Sequence, residues 1–502
     1  MSELPKGWAS AKLGGYIHLR NGFAFKSKDY SEPSNMTVPV IRISDINGTV
    51  ASDEKANHVP TELAVSEFEI AKGDLLVAMS GATTGKIGVY GGSTPAYQNQ
   101  RVGNLKLNAP ELSDLGFRNH LIKYLSPTIL DIAYGGAQPN ISASGIESID
   151  VCFPPLAEQK RIVEKLDEVL AQVDTIKARL DGIPDFLKRF RQSVLASAVS
   201  GKLTEGFRTR WLSGKIQPIL SLQPNAKTRR GVPDNVSIDE DLLKQEIPEQ
   251  WCVESVARLL KLAVISDVKD GNHGANHPKS AEFVDDGIPF ITAAQMNDKG
   301  HIDFEGAPKL KGEPLSKIKV GFAEPQDVIY SHKGSVGRVS VTDRECILSP
   351  QTTYYRLNQA FVLPRYLAIY LRSQQYKNQV NKVKTQTTRD FISISAQYQM
   401  TVLLPLVEEQ KEIVRLVDQY FAFADTIETQ VKKAQARVDN LTQSILAKAF
   451  RGELVEQDPT DEPADKLLER IAEARKEAEA LAKAAKKAEA AKKRAAKNAA
   501  SA

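Results

Sequence analysis

The chain has few cysteines and lacks a long apolar run. Among its 502 residues the cysteines are Cys152, Cys252 and Cys346, which lie far apart, without a CxxC pair or a histidine at ligand spacing. This pattern indicates isolated thiols and argues against a zinc site or a disulfide framework. We find no stretch of about 18 apolar residues and no basic-then-apolar leader at the N-terminus. The sequence therefore predicts a cytoplasmic protein that does not bind a membrane.

The charge of the chain is balanced except at its end. The net charge is +4, yet from Lys483 onward seven basic residues stand against one acid, so the remainder is slightly acidic. If that remainder binds nucleic acid, its basic groups must be gathered on one face. Residues 454–502 become rich in Ala, Lys and Glu, which predicts a helix that frays into a solvated basic tail.

Motifs of DNA-modifying enzymes are incomplete. Amino-methyltransferases use Asn/Asp-Pro-Pro-aromatic, whereas Cys-Phe-Pro-Pro at 152–155 has neither the polar residue nor the aromatic in the required place. Residues 81–86 are too short for a phosphate-binding loop, and Ile87 replaces the required hydroxyl. Residues 158–160 fit half of a nuclease carboxylate motif, but they open a helix, where the macrodipole favours a carboxylate. We therefore predict no catalytic residue, no metal and no cofactor in this chain.

An internal repeat divides the chain into halves. Pro-Pro-Leu-Ala-Glu-Gln-Lys at 154–160 is echoed by Pro-Leu-Val-Glu-Glu-Gln-Lys at 405–411, and the offset of 251 residues persists without a gap to Gly201 and Gly452. These glycines stand where left-handed helix C-caps are expected. Gly182 and Pro184 interrupt the first copy, which predicts a kink or a break there.

Each repeated segment has apolar residues at alternating steps of four and three. This heptad pattern buries one helix against another and predicts two long, paired helices over 154–202 and 405–453, with Glu158-Gln159 and Glu409-Gln410 at their beginnings. Two core helices of unrelated domains would be the alternative. The seam positions are Ile162, Leu166, Val169, Val173, Ile176, Leu180, Ile183, Leu187, Phe190 and Val194, then Ile413, Val417, Tyr420, Ala424, Ile427, Val431, Ala434, Val438, Leu441 and Ile445.

A β-rich domain precedes each helix, at 1–150 and 247–402, with a linker at 203–246. The two domains share their apolar framework but differ in polar loop residues, as expected of similar scaffolds that read different ligands. Strands are predicted at 38–43, 75–79, 87–90 and 105–107, with a helix near 112–125, and again at 288–291, 327–330, 339–341 and 354–357, with a helix near 366–380.

Loop residues in both domains have the chemistry of nucleic-acid binding. Lys and Arg neutralise phosphates, and Arg, Asn and Gln form paired hydrogen bonds with base edges. Any one of them also fits a solvated loop, so the glycine-rich clusters at 80–86 and 332–338, in equivalent positions, carry more weight. The candidates are Asn21, Lys26, Lys28, Arg42, Ser80, Thr83, Thr84, Lys86, Gln100, Arg101 and Gln138, then Lys269, Asn272, His273, Gln295, His332, Lys333, Ser335, Arg338, Gln351, Thr352, Lys384, Gln386 and Arg389.

The chain resembles the specificity subunit of Type I restriction-modification enzymes over nearly its whole length. The resemblance rests on residues 154–160, 171–174, 188–195, 201–205 and 440–454. It implies an α+β fold with a pseudo-two-fold repeat, in which two β-rich target-recognition domains are separated by two long antiparallel coiled-coil spacer helices. Each domain would read one half of a split asymmetric site.

The resemblance also implies partners and a division of labour. The partners would be double-stranded DNA, two methyltransferase subunits that bind S-adenosylmethionine and methylate adenine N6, and two motor-nuclease subunits that use ATP and Mg. The chain itself would be non-catalytic. A solitary methyltransferase or nuclease with degenerate motifs is the alternative, and a helical scaffold that does not bind DNA is a third possibility.

Overall fold

The computed structural model describes residues 4–92, 95–135, 139–224, 231–273, 277–386 and 390–499. Its contacts divide the chain into two compact units. The first unit comprises Met1–Leu180 with Lys433–Ala502, and the second comprises Asp181–Lys432. Each unit therefore contains one β-rich domain and a part of each of two long helices.

Two sheets form the β-rich part of the first unit. Their strand orders are β2-β10-β7-β8-β4 and β5-β3-β9-β6, and β1 pairs separately with β11. The strands are β1 (Ala9–Lys12), β2 (Ile17–Asn21), β3 (Thr37–Ile41), β4 (Val50–Ala51), β5 (Asn57–Pro60), β6 (Glu69–Ile70), β7 (Leu75–Ala78), β8 (Ile87–Tyr90), β9 (Ala96–Gln98), β10 (Val102–Leu107) and β11 (Asp150–Phe153).

The helices within residues 1–180 continue the chain, and the first of them packs on the sheet that contains β10. They are α1 (Leu115–Tyr134), α2 (Ala143–Glu147) and the beginning of α3 (Leu156–Val199). Asp114 caps α1 by accepting a hydrogen bond from the Phe117 backbone N–H. Phe117 and Leu121 then lie in the same apolar core as Leu105 of β10.

The second unit repeats the arrangement of the first. Its sheets have the orders β13-β20-β17-β18 and β15-β14-β19-β16, and β12 pairs with β23. In both units the second sheet contains a parallel pair, β3 with β9 and β14 with β19. The strands are β12 (Cys252–Ser255), β13 (Ile265–Asp270), β14 (Ile288–Ile291), β15 (Lys309–Leu310), β16 (Phe322–Ala323), β17 (Val328–Ser331), β18 (Val339–Val341), β19 (Cys346–Leu348), β20 (Thr352–Leu357), β21 (Thr385–Gln386), β22 (Asp390–Phe391) and β23 (Thr401–Leu404).

A helix predicted near 366–380 is two helices, because Ser373 separates them. The Ser373 hydroxyl donates to the Tyr370 carbonyl at 2.6 Å and accepts a hydrogen bond from the Tyr376 N–H. The remaining helices are α4 (Glu205–Trp211), α5 (Glu240–Leu243), α6 (Val256–Lys261), α7 (Gly312–Lys317), α8 (Pro364–Arg372), α9 (Gln374–Val383), α10 (Ile394–Gln399), α11 (Val407–Ala449) and α12 (Ala464–Ala499).

The long helices α3 and α11 pair within each unit. In the first unit Lys177 Nζ lies 2.6 Å from Asp439 Oδ1, and in the second Arg191 Nη2 lies 2.8 Å from Asp425 Oδ1. From the first pair to the second, the residue number rises along α3 and falls along α11. The two helices therefore run antiparallel.

Parts of the predicted heptad seam and the predicted helix break are corrected by the structure. Helix α3 is unbroken through Gly182 and Pro184. Most seam positions are buried or half-buried, but Ile176, Tyr420 and Leu441 are exposed. A straight helix has 3.6 residues per turn, so a 3.5-residue pattern drifts around its surface and some positions turn to solvent.

A buried network anchors the start of α3 to the first β-rich domain. Trp8 Nε1 donates to Glu158 Oε2 at 3.1 Å, and the Tyr16 hydroxyl donates to Gln159 Oε1 at 3.0 Å. Gln159 Nε2 in turn donates to the Pro154 carbonyl at 3.0 Å. These bonds engage one oxygen of the Glu158 carboxylate and the amide of Gln159 in the first turn of the helix, as expected of a structural role.

The second unit anchors the start of α11 in the same way. Trp251 Nε1 donates to Glu409 Oε2 at 3.0 Å, and Gln410 Nε2 donates to the Pro405 carbonyl at 2.9 Å. Both Glu409 and Gln410 are fully buried. The two Trp–Glu pairs thus fasten corresponding helix starts in the two units.

The end of each long helix packs against the opening of a β-rich domain. Gly201 and Gly452 have φ of 78° and 75°, which confirms the predicted left-handed caps. A Cβ at Gly201 would lie 2.6 Å from Pro248, and one at Gly452 would lie 2.6 Å from Pro5. Glycine is therefore required at both positions for backbone conformation and for space.

The described parts of the predicted linker, residues 203–224 and 231–246, are packed in several places. Leu212, Ile219, Val232 and Leu242 are buried. Helix α12 of the first unit is similarly attached at its beginning, where Leu467 and other apolar side chains enter the core. The cysteines are free thiols, as predicted.

Candidate nucleic-acid interface

Loops that follow four strands of the first unit meet at one place. The Phe23 N–H donates to the Gln98 carbonyl at 2.8 Å, the Asn99 N–H to the Ile41 carbonyl at 3.1 Å, and the Met79 N–H to the Arg101 carbonyl at 2.9 Å. These bonds tie the loops after β2, β3, β7 and β9 to one another. We call this surface the first loop cluster, formed by residues 21–28, 42–45, 79–86 and 99–101.

The loop at 79–86 is closed by its own backbone. The Gly85 N–H donates to the Ala78 carbonyl, the Ala78 N–H donates to the Lys86 carbonyl, and both distances are 2.9 Å. Gly81 and Gly85 have φ of 88° and 83°, a left-handed conformation that glycine adopts without strain. Lys86 then projects its side chain into solvent.

The second unit holds an equivalent surface, the second loop cluster, formed by residues 270–273, 292–295, 331–338 and 349–351. The Ser349 N–H donates to the Ile291 carbonyl at 2.9 Å, as Asn99 does to Ile41. The His332 N–H donates to the Gln351 carbonyl at 2.9 Å, as Met79 does to Arg101. The Ser331 N–H donates to the Arg338 carbonyl at 2.9 Å, as Ala78 does to Lys86. The predicted equivalence of loops 80–86 and 332–338 is therefore confirmed.

Most of the predicted DNA-binding side chains reach the surface. The exposed ones are Asn21, Lys26, Lys28, Lys86, Gln100 and Arg101 in the first unit and His273, Lys333 and Ser335 in the second. The half-buried ones are Arg42, Ser80, Thr83, Lys269, Gln295, Arg338, Gln351 and Lys384. Gln138 and Arg389 lie outside the described residues, and Gln386 belongs to β21.

Four predicted residues are buried instead: Thr84, Asn272, His332 and Thr352. The Thr84 hydroxyl donates to the Gly81 carbonyl at 2.7 Å, and the Thr352 hydroxyl donates to the Ser349 carbonyl at 3.1 Å. These two hydroxyls stabilise their loops from within. Sequence alone could not distinguish them, because hydroxyl and amide residues are common both in solvated loops and in turns.

His332 is the buried centre of the second loop cluster. Its Nδ1 hydrogen-bonds with the Thr353 hydroxyl, and burial lowers the pKa of His332 to about 4. The imidazole is therefore neutral near pH 7 and adds no charge to the surface.

Arg338 is held inside the protein more firmly than its sequence position indicates. Its Nη1 donates to the carbonyls of Ala293 at 2.7 Å and Met296 at 2.9 Å, while its Nε lies 3.6 Å from Asp298. The side chain thus links the 331–338 loop to the segment after β14. Lys86, its counterpart in the first unit, is exposed.

Two other predicted residues of the second unit, Lys384 and His273, lie close to carboxylates. Lys384 Nζ is 2.7 Å from Asp390 Oδ2, and His273 Nε2 is 2.6 Å from Asp270 Oδ2. Lys333 instead lies over the ring of Phe391 at 5.8 Å. The predicted residues that the structure describes therefore include fewer exposed lysines and arginines in the second unit, where Lys333 is exposed, than in the first, where Lys26, Lys28, Lys86 and Arg101 are exposed.

The chemistry of both clusters is that of hydrogen bonding and charge neutralisation. Their exposed groups are amides, hydroxyls and cations, which suit base edges and phosphates. Within the described ranges, His, Cys, Asp and Glu form no group of three or more that could hold a metal ion. None of the helices described is long and apolar enough to span a membrane.

Comparison with known proteins agrees with the duplicated architecture. A sequence model of the Type I restriction modification DNA specificity domain matches residues 5–185 and again residues 263–435. The chain belongs to this family. The EcoBI specificity subunit of Escherichia coli is 32% identical over 478 residues, which cover 93% of this chain and 92% of that protein. The EcoKI specificity subunit of E. coli K12 is 32% identical over 493 residues, which cover 94% of this chain and 96% of that protein.

Solved structures share the fold at lower sequence identity. A chain from a study of complex assembly and conformational transition of the type I R-M system superposes with a TM-score of 0.59 at 18% identity, covering 90% of this chain and 100% of that one. The HsdS subunit from Thermoanaerobacter tengcongensis gives 0.52 at 19% identity, covering 90% and 98%. The protein is thus a DNA sequence-specificity subunit of a Type I restriction-modification system, with the α+β fold of that family.

Sequence reasoning missed the residues that position the two clusters. Trp8 and Trp251 fasten each β-rich domain to the start of a long helix, but they stand outside the gapless repeat. The available signal was the loose match between the two domain openings, Leu-Pro-Lys-Gly-Trp at 4–8 and Ile-Pro-Glu-Gln-Trp at 247–251. A tryptophan at each opening, with a buried glutamate at each helix start, indicates a paired anchor once the two are considered together.

Proposed function

We propose that the first and second loop clusters each read one half of a split, asymmetric site in double-stranded DNA. The observation that carries this proposal is that the clusters share their backbone hydrogen bonds but differ in side chains. Met79 and Lys86 of the first correspond to His332 and Arg338 of the second. A common frame with different side chains suits the recognition of two different base sequences.

The exposed and half-buried candidates are the residues that we assign to DNA contact. Among them lysines and arginines would lie on phosphates, and the amides would face base edges. The buried Thr84, Asn272, His332 and Thr352 would instead maintain the shape of the loops. Gln138, Gln386 and Arg389 remain candidates from the sequence.

The chain would act without catalysing a reaction. Its relatives are named specificity subunits of restriction enzymes, which supports a role in directing partner subunits. We infer two methyltransferase subunits, which bind S-adenosylmethionine and methylate adenine N6, and two motor-nuclease subunits, which use ATP and Mg. With DNA as its target, the complex would work in the cytoplasm. The long helices α3 and α11 would join the partners and set the gap between the half-sites.

An exchange of one domain tests the two-reader proposal. Residues 247–402 are replaced with the matching region of a relative, and methylated adenines are mapped in DNA modified by the assembled complex. We expect one half-site to change while the other half-site and the gap length stay the same. The reciprocal exchange of residues 1–150 is the matched control and should change the opposite half-site. A change in both half-sites from either exchange would contradict the proposal.

A transfer assay tests the non-catalytic role. The purified chain is incubated with DNA and labelled S-adenosylmethionine, alone and with the methyltransferase subunits. We expect label in DNA only when the subunits are present. Methyl transfer by the chain alone, in a preparation free of other subunits, would show that it is an enzyme.

A further inference from the structure

A groove of about 670 Å³ lies beside the second loop cluster, inside the second unit. Its walls come from α3, the segment at 298–299, the loop at 335–339, the helices α8 and α9, and α11. Among the described residues that line it, the basic ones are Lys188, Arg191, Lys299, Arg338, Arg372 and Lys377, and the acidic ones are Asp298 and Asp425. We call it the basic groove.

One side of the basic groove is electrically balanced. Arg191 Nη2 lies 2.8 Å from Asp425 and 3.1 Å from Glu428, and Lys299 Nζ lies 3.0 Å from each of the same two carboxylates. Hydrogen bonding from Lys299 lowers the pKa of Glu428 to about 2, so that carboxylate stays ionised at neutral pH. The two positive charges of Arg191 and Lys299 are thus neutralised by the two carboxylates.

Arg372, the last residue of α8, lies in a different environment. Its Nη2 donates to the Asp298 carbonyl at 2.8 Å, and its guanidinium lies 5.8 Å from the centre of the Phe421 ring. Burial lowers the pKa of Arg372; the nearby Asp298 opposes that effect, and the positive charge of Arg191 adds to it. The guanidinium remains ionised at neutral pH, so Arg372 places a partly desolvated positive charge in the groove.

Lys188 and Lys377 complete the unbalanced side. Both side chains are exposed, and within the described part of the chain neither forms an ion pair or a side-chain hydrogen bond. Among the residues that the structure describes, Lys188, Arg372 and Lys377 have no carboxylate partner at salt-bridge distance, so the groove has three unpaired basic side chains within that part of the chain. An anion that entered the groove would be attracted by all three, since the low-dielectric walls weaken screening by water.

We propose that the basic groove binds a phosphodiester group of the DNA backbone bordering the half-site that the second loop cluster reads. This inference rests on the proposed function. The loop residues 335–338 belong both to the cluster and to the groove wall, so DNA seated on the cluster brings its backbone past Lys188, Arg372 and Lys377. Contacts of this kind position the duplex and carry no sequence information. They would add positive charge beside the second loop cluster, in which Lys333 is exposed but the Arg338 guanidinium is bound to backbone carbonyls.

Removal of the two free lysines tests the basic groove. The Lys188→Gln/Lys377→Gln variant of the full chain, assembled with its methyltransferase subunits, is titrated with duplexes that contain the mapped site or a mismatch in either half-site. The salt concentration is varied from about 50 to 200 mM. We expect weaker binding to every duplex and unchanged discrimination against both mismatches. The salt slope, meaning the decrease of the logarithm of the binding constant with the logarithm of the salt concentration, should be lower by about two.

A matched variant controls for the loss of charge. Lys215 and Lys244 are exposed lysines of the same unit that already pair with Glu408 at 2.9 Å and Asp241 at 3.1 Å. Their double replacement by Gln removes the same charge, and we expect it to leave the salt slope unchanged. If both double variants lowered the salt slope equally, the effect would come from the loss of net charge, and the proposal of a phosphate site in the groove would be overturned.

Other outcomes separate this inference from the function on which it rests. If the wild-type complex does not discriminate between the site and the mismatches, the proposed function fails. If the wild type discriminates and the groove variant has the same salt slope, the groove site alone fails. A variant that binds DNA normally but assembles poorly with the methyltransferase subunits would identify the groove as a protein-binding surface and also overturn the inference.

Discussion

The two buried glutamates that open the long helices occupy the same frame but have different neighbours. Glu409 of the second unit accepts hydrogen bonds from Trp251, from Arg208 at 2.6 Å and from Thr204 at 2.7 Å. The repeat offset places Val455 and Pro459 of the first unit at the positions of Thr204 and Arg208. Glu158 therefore has its tryptophan but lacks the arginine.

The difference extends to the helix ends. Arg208 also donates to the Gly201 carbonyl at 3.0 Å, and in the first unit the neutral Gln457 donates to the Gly452 carbonyl at 2.6 Å. Burial raises the pKa of Glu158, although Trp8 and the charge of Arg161 oppose the effect. The repeat has therefore preserved the hydrogen-bonding frame of the anchor while changing its charge balance.

The largest effect should come from breaking the ion pair of the second anchor. Arg208→Met leaves the fully buried Glu409 carboxylate without its cation, and such a loss costs roughly 3–5 kcal/mol. We expect hydrogen exchange to accelerate in peptides of the second unit while those of the first stay protected. Gln457→Met is the matched change in the first unit and should cost much less. Similar losses in both variants would mean that the ion pair does not distinguish the anchors.

Acid should destabilise the second unit through His332, for which the first unit has Met79. The folded-state pKa of His332 is about 4, below the ordinary 6.5, so the unfolded chain takes up a proton first. Stability present above pH 6.5 is then lost as the pH falls toward 4, by up to about 3 kcal/mol. Unit-resolved hydrogen exchange between pH 7 and 4.5 would measure it. His332→Met should remove this component of the pH dependence. If the stability of the second unit fell equally with pH in this variant, His332 would not be the group responsible.

Neutralising Glu409 and Glu158 should lower the stability of their units by unequal amounts. Glu409→Gln weakens charge-assisted hydrogen bonds and should cost the second unit roughly 1.5–3 kcal/mol. Glu158→Gln should change the first unit by less than about 1 kcal/mol, because no arginine loses its partner there. Denaturation followed by tryptophan fluorescence and by unit-resolved hydrogen exchange would compare them. Equal costs would show that the missing arginine is unimportant.

The same pair of variants gives a pH test with a defined sign. The folded-state pKa of Glu158 is raised above 4.5, so its protonated form stabilises the folded state at low pH. That contribution is lost as the pH rises through the folded-state pKa. The first unit of the wild type should therefore lose stability relative to Glu158→Gln on going from acid to neutral pH. The opposite trend would mean that the carboxylate has a cationic partner in solution.

The smallest effects on stability should come from alanine substitutions in the equivalent loops at 79–86 and 331–338, and they should differ between the two loops. Lys86→Ala removes an exposed side chain and should leave stability within about 0.5 kcal/mol while lowering the salt slope of DNA binding by about one. Arg338→Ala removes two hydrogen bonds to carbonyls and should cost the second unit about 1.5 kcal/mol. Thermal denaturation together with salt titrations would compare them. A lower salt slope without a loss of stability in Arg338→Ala would show that this guanidinium lies mainly on DNA.

Much of the architecture could be predicted from local patterns. The gapless repeat, the heptad spacing and the glycines at 201 and 452 are properties of short segments, and the backbone responds to them directly. Strands β8, β14 and β18 coincide with their predicted bounds. The division at Ser373 was missed because an apolar helical pattern continues on both sides of the serine that caps α9.

The sequence by itself determined the duplicated domains, the paired helices and the equivalent glycine-rich loops, because periodicity and turn chemistry act over a few residues. Only the tertiary structure decided which polar loop residues are buried, that Arg338 binds carbonyls after β14, and that Lys188, Arg372 and Lys377 face one groove. These outcomes depend on segments far apart in the chain. A side chain's hydrogen-bonding capacity is visible in the sequence, but its partner is chosen by packing that brings distant backbone and charge within a few ångströms.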